Sequence, residues 1–241
     1  MVTLLLEHAT GGSLLQKFEI KRVFLQEALM EKIVFSFILL LFQILIVKCF
    51  QYFTSFDYYT ILFISFIISF IVICAYQYTK KYEHWRLSGN LFYAVLYGLI
   101  AYSVSAFCTV LILKFLPIHT VDFLSEIIIN NLNSLNPEKI VLVFLVTGIF
   151  VPVFEELVFR YYFFNGITTI KMVYKNADII ITVIFFSLCH LYSIKAFVFS
   201  VFTGLFITFF YKMYKSIVFS VIMHFTINTT GLLVGYLLHI N

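Results

Sequence analysis

Two adjacent carboxylates, Glu155 and Glu156, and a guanidinium, Arg160, lie well inside an apolar run of the sequence, Ile140–Phe164. A charged side chain at bilayer depth costs roughly 2.5–3.5 kcal/mol on insertion scales, and such residues mark function by default. On a helix Glu156 and Arg160 are four residues apart, share a face and can pair. Glu155 points about 100° away, so one carboxylate is neutralised while its neighbour faces something else. Two other apolar runs carry polar groups of a complementary kind. One holds His190, a turn after Phe186; the other holds His224, a turn before Asn228. The remaining histidines, His8, His84, His119 and His239, fall in loops or at the terminus.

A carboxylate, two imidazoles and an amide on three helices can hydrolyse a peptide bond. A buried carboxylate serves as general base towards a water, and a histidine beside it helps hold that water. A second histidine and an asparagine donate hydrogen bonds to the developing oxyanion. No Gly-x-Ser-x-Gly or His-Glu-x-x-His pattern occurs. Each residue also has a plainer reading. Glu156 and Arg160 can simply clamp two helices, each histidine can be an interhelical hydrogen-bond donor, and Asn228 can be packing glue. The ordered combination outweighs these separate readings.

The elements that must bring these groups together are membrane helices. The chain has 241 residues, of which 62% are hydrophobic and 12% charged, with a mean hydropathy of +1.02. Soluble domains carry about 25% charged residues. Seven apolar runs approach or reach the ~20 residues needed to cross the hydrocarbon core: Ile33–Phe53, Tyr58–Gln77, Leu91–Leu116, Ile140–Phe164, Ala177–Tyr192, Phe197–Tyr211 and Ile217–His239. The expected fold is an all-α polytopic transmembrane bundle of about seven spans. Pro152 cannot donate to the Gly148 carbonyl and is expected to kink the fourth. Leu14–Lys32 mixes apolar and basic residues as a helix lying on the membrane surface would. The connection His119–Pro137 is the expected place for a short amphipathic helix.

Basic residues such as Lys17, Arg22, Lys80, Arg86, Lys171 and Lys212 collect on one side of this arrangement, which puts the N-terminus in the cytoplasm. The expected organisation is a cytoplasmic or interfacial segment at 1–32, transmembrane helices at 33–135 and a catalytic core at 136–241. No cleavable signal peptide is expected at the start, because Val2–Leu6 is too short for an apolar signal region. The four cysteines, Cys49, Cys74, Cys108 and Cys189, have unrelated spacings and suggest neither disulfides nor a metal site. The net charge of +4 is spread over loops and is no nucleic-acid signal.

The ordered trio resembles the CPBP intramembrane proteases, the family of CAAX prenyl proteases and of bacterial bacteriocin-processing or immunity proteins. Its signature is Glu-Glu-x-x-x-Arg, Phe-x-x-x-His and His-x-x-x-Asn on successive membrane helices. Here these read Glu155-Glu156-Leu157-Val158-Phe159-Arg160, Phe186-Ser187-Leu188-Cys189-His190 and His224-Phe225-Thr226-Ile227-Asn228. The resemblance covers roughly Ile140 to the C-terminus, and Gly204 stands where the family often has glycine. It implies that Glu155 activates water with help from His190, and that His224 and Asn228 stabilise the oxyanion. Glu156, Arg160 and Phe186 would support the site. A metal-free mechanism is preferred, with a divalent ion such as zinc on Glu155, His190 and His224 as second choice. The expected protein is an integral-membrane endopeptidase of a bacterial cell membrane, acting near the cytoplasmic face, with the lipid bilayer and a membrane-associated peptide or protein substrate as its partners. Two alternatives stand beside it. One is a non-catalytic bacteriocin self-immunity protein. The other is a proton-coupled transporter, which the absence of an internal repeat disfavours.

Overall fold

A computed structural model describes residues 14–80, 89–115, 137–168 and 176–239, and the described elements are all helical. The 119–136 part of the connection expected to hold an amphipathic helix lies outside the described residues. The helices are α1 (Leu14–Phe53), α2 (Tyr58–Lys80), α3 (Leu91–Phe115), α4 (137–167), α5 (Ala177–Leu188), α6 (Ile194–Tyr214) and α7 (Ile217–His239). Six are long and apolar enough to cross a membrane, and the protein is a polytopic helical membrane protein. The stretch expected on the membrane surface is helical from Leu14 but runs without a break into the first span, giving 40 residues.

Two departures from the expected spans concern α5 and α4. Helix α5 has 12 residues, about 18 Å at 1.5 Å per residue, well short of the ~30 Å hydrocarbon core. Its expected end, through Tyr192, is instead a turn over residues 189–192. The helix tightens there: the Cys189 and His190 N–H groups bond to Phe186 O and Ser187 O, and the His190 ring also turns back onto Phe186 O at 3.0 Å. Side chains and short-range bonds thus absorb the carbonyls that a continuing helix would use.

Helix α4 is not uniformly α-helical. Leu145–Phe150 and Leu157–Phe164 are π-helical, and the α-helical Val151–Glu156 lies between them. At the expected kink the helix is wound more widely: Val151 N–H donates to Val146 O, five residues back. In the second π segment seven of eight residues are buried, so this part of α4 is enclosed by its neighbours.

The other helices enclose α4. Helices α1 and α2 pair through Gln43, which donates to Ser65 Oγ at 2.8 Å and accepts from Ser69 Oγ at 2.6 Å. They pack on α4 through Phe35 against Tyr162 and Phe66 against Phe154. At the C-terminal end of α2, Gln77 Nε2 donates to Tyr162 Oη. Helix α3 lies outside α6 and α7. Its buried face is Ala94, Gly98, Ala101, Ser105 and Thr109, small residues that let backbones approach where apolar lipid offers no drive to associate. A Cβ on Gly98 would sit 2.7 Å from Thr226 Cβ and 2.8 Å from the Met223 carbonyl. Gly98→Ala is therefore expected to push α3 off α7 and destabilise the bundle by about 1–3 kcal/mol. The check is unfolding in detergent micelles, in which Ala101→Gly should change far less than Gly98→Ala.

Candidate active site

The site is built from the middle of α4 outward. Glu156 and Arg160 are both fully buried, and Arg160 Nη1 meets Glu156 Oε1 at 2.8 Å. The guanidinium carbon stands 4.5 Å from the centre of the Phe186 ring, and Nη2 points to the Gly204 carbonyl of α6 at 3.5 Å. Phe186 is itself buried. Gly204 is needed because a Cβ there would lie 2.9 Å from Phe186 Cδ1. Arginine suits such a position, since its planar fork can pair with a carboxylate while its face stacks on a ring.

The same carboxylate oxygen has a second partner. His224 Nδ1 on α7 lies 2.7 Å from Glu156 Oε1. The pairing expected from the sequence, Glu156 with Arg160, is thus half of a three-residue arrangement. A carboxylate accepts and does not donate, so His224 Nδ1 carries the proton and donates. Its other nitrogen, Nε2, is turned to Glu155 Oε2 at 3.6 Å.

Glu155 points away from this buried pair, as the helical phase requires, and is partly exposed. Its Oε1 lies 3.9 Å from His190 Nε2. His190 sits on the turn after α5, and its Nδ1 donates to the Phe186 carbonyl at 3.0 Å. Both histidines are therefore fixed through Nδ1 and present Nε2 to one carboxylate. Separations of 3.6 and 3.9 Å exceed direct hydrogen-bond reach. Each gap is one that a bridging water can close.

The structure brings Glu155, His190 and His224 together, with Glu156, Arg160 and Phe186 directly behind them. Asn228 is bonded to the α4 backbone: its Nδ2 donates to the Thr147 carbonyl at 2.9 Å. The sequence reading missed Thr147, because a backbone acceptor leaves no signal in residue type. It also missed the bond between Glu156 and His224, although a carboxylate with spare lone pairs next to an arginine signals room for another donor.

Zinc was the alternative for Glu155, His190 and His224. A tetrahedral ion with 2.0–2.1 Å bonds draws its ligand atoms to about 3.3 Å from one another. Among the described residues no grouping of three His, Cys, Asp or Glu side chains is placed to hold a metal ion. The corresponding separations here are 3.6 Å from His224 Nε2 and 3.9 Å from His190 Nε2 to the Glu155 carboxylate.

Residues 137–230 match the family model described as Rce1-like, type II CAAX prenyl endopeptidase Rce1-like. This part of the chain is similar to the CPBP family of CAAX proteases. The match starts at the first residue of α4 and ends two residues beyond Asn228, so every motif residue of the CAAX-protease core lies within it. At that level the match supports a CAAX-type intramembrane protease. Searches of curated proteins and of solved structures gave no match.

The buried pair generates a stability prediction for this CAAX-protease core. Arg160→Ala leaves Glu156 charged, buried and short of a partner, and should cost about 3–5 kcal/mol. Arg160→Lys keeps the charge but loses the fork and the stacking on Phe186, and should fall between the two. Unfolding of the purified proteins in detergent micelles gives this ranking directly.

Proposed function

We propose that the protein is a glutamate-type intramembrane endopeptidase in which Glu155 activates a water held against His190 and His224. The observation that carries this reading is the convergence of both Nε2 atoms on the Glu155 carboxylate, with each ring fixed from behind through Nδ1.

Glu155 accepts a proton from the water, and His190 Nε2 holds the water's other hydrogen. The hydroxide attacks the scissile carbonyl carbon, and the carbonyl oxygen becomes an oxyanion. His224 with a proton on Nε2 is a cation lying between Glu155 and Glu156, and from there it donates to that oxyanion. Asn228 supplies the second donor. The tetrahedral intermediate collapses with cleavage of the C–N bond, and the protonated Glu155 delivers its proton to the leaving amine. Proton and charge balance close without a metal.

The substrate in this reading is a membrane-associated peptide or protein. The helix ends support a cytoplasmic placement for the nearby face. Lys32 stands over Tyr161 and Lys215 over Phe164, while Lys212 pairs with Asp178 at 2.8 Å. Basic residues thus gather at the C-terminal end of α4, which the positive-inside rule assigns to the cytoplasm. Glu155 lies 12 residues from Ile167, about 18 Å in from that end. A bacterial cell membrane fits the composition, and in that setting an unprenylated peptide precursor is the expected substrate.

The test is cleavage of internally quenched peptides by the purified protein in proteoliposomes, with a prenylated CAAX peptide and an unprenylated membrane-anchored peptide side by side. Glu155→Gln should lower the rate on the order of 10²–10⁴-fold while leaving the fold intact. A chelator such as 1,10-phenanthroline should leave the wild-type rate unchanged. Full activity in Glu155→Gln would reject the general-base role, and loss on chelation would reinstate the metal.

A further inference from the structure

The position of Asn228 depends on a residue that has no side-chain contact to offer it. Leu145–Phe150 is wound as a π-helix, in which each N–H reaches the carbonyl five residues back, as Val151 N–H does to Val146 O. The next N–H in that series would belong to residue 152 and would reach Thr147 O. Residue 152 is proline, which has no N–H. The carbonyl left over is the one that Asn228 Nδ2 occupies, at 2.9 Å. In ordinary α-helical winding Pro152 would instead have freed the Gly148 carbonyl, one residue further on. Winding and proline together therefore decide which carbonyl is vacant.

Leaving a backbone carbonyl unpaired at bilayer depth costs several kcal/mol, so a donor from a neighbouring helix is needed. Asn228 on α7 is that donor. Thr147 O only accepts, which fixes the Asn228 amide with Nδ2 towards α4. Gly148 lets the helices come this close, since a Cβ on it would already touch Thr229 Cγ2 at 3.3 Å. The amide has two N–H groups. Thr147 takes one and leaves the other for a further acceptor.

We infer that Pro152 is a positioning residue for Asn228. By withholding its N–H from the Thr147 carbonyl, it keeps that carbonyl available to lock the Asn228 amide in one orientation. The bond itself is independent of the proteolytic reading. The use of the second N–H, as oxyanion donor, rests on that reading.

Three proteins are compared with wild type: Pro152→Ala, which restores an N–H; Asn228→Ala; and the double variant. The α-hydroxy acid analogue of alanine at position 152, which places an ester there, serves as the control, because it removes the proline ring without restoring an N–H. The first readout is the side-chain amide resonance of Asn228 in micelles, identified by its disappearance in Asn228→Ala. It should move to the shift and exchange rate of an unbonded amide in Pro152→Ala and stay near the wild-type position in the ester analogue. The second is kcat and KM on the cleaved peptide. Pro152→Ala should lower kcat on the order of tenfold to a hundredfold with KM within about twofold, and the double variant should be no slower than Asn228→Ala alone. An unmoved Asn228 resonance in Pro152→Ala, an ester analogue that behaves like Pro152→Ala, or losses that multiply in the double variant would each overturn the inference. If no peptide is cleaved by any form, the resonance alone decides it, and the failure then belongs to the proteolytic reading.

Discussion

Glu156 is a carboxylate removed completely from water, and the positions of four helices answer to it. A lone buried charge of this kind is not tolerated. It is held by Arg160 one turn along the same helix and by His224 from α7. Arg160 in turn needs the face of Phe186 on α5 and points to the Gly204 carbonyl on α6. The absence of a side chain at Gly204 is what lets Phe186 lie there. Satisfying one anion thus sets the distance of α7 from α4 and the rotation of α5 about its own axis. Those two quantities place His224 and His190 against Glu155. Glu155 is partly exposed and approached by both histidines at 3.6–3.9 Å; its neighbour Glu156 is sealed and bonded to Arg160 and His224. Rigidity and reactivity are assigned to adjacent residues because consecutive positions on a helix face different surroundings.

The backbone of α4 contributes as much as its side chains. Two π-helical stretches flank the pair of acids, so the α-helical turn that carries them is phased independently of the rest of the helix. The first stretch takes up the missing donor of Pro152 without exposing a carbonyl to lipid, and the asparagine on α7 completes it. The second turns Tyr162 towards α1 and α2, Phe159 towards α5 and Phe164 towards α6. The second stretch is the more enclosed of the two, with seven of its eight residues buried.

Much of the site was legible in the sequence, because charge and imidazole inside apolar runs are rare and each had to be explained. The split between Glu155 and Glu156 followed from helical geometry alone, and the structure places one outward and one inward. The end of α5 was not legible. Leu188, Cys189, Leu191 and Tyr192 are as apolar as a span requires, and nothing in their composition separates a turn from a helix. The helix stops because the backbone and ring of His190 turn back onto Ser187 and Phe186 carbonyls, an event that depends on tertiary context. The π winding was hidden for a similar reason. Pro152 announced a lost hydrogen bond, but which carbonyl lost it depends on a winding that residue types do not encode. The unbroken continuation of α1 towards Leu14 was hidden as well, since mixed apolar and basic residues suit a surface helix and a protruding one equally.

Helix α5 and its successor α6 are tied together at both ends. Lys212 holds Asp178 and Asn176 at one end, Phe186 rests on Gly204 midway, and a five-residue connection closes the other. Such a hairpin has little freedom to slide internally and moves as one stiff piece. His190 rides at its closed tip, whereas Glu155 and His224 belong to helices locked through Glu156. The separation between His190 and Glu155 is therefore a single mechanical coordinate: the tilt of this hairpin against α4. Tilting the hairpin as one piece would carry the His190 imidazole towards or away from Glu155.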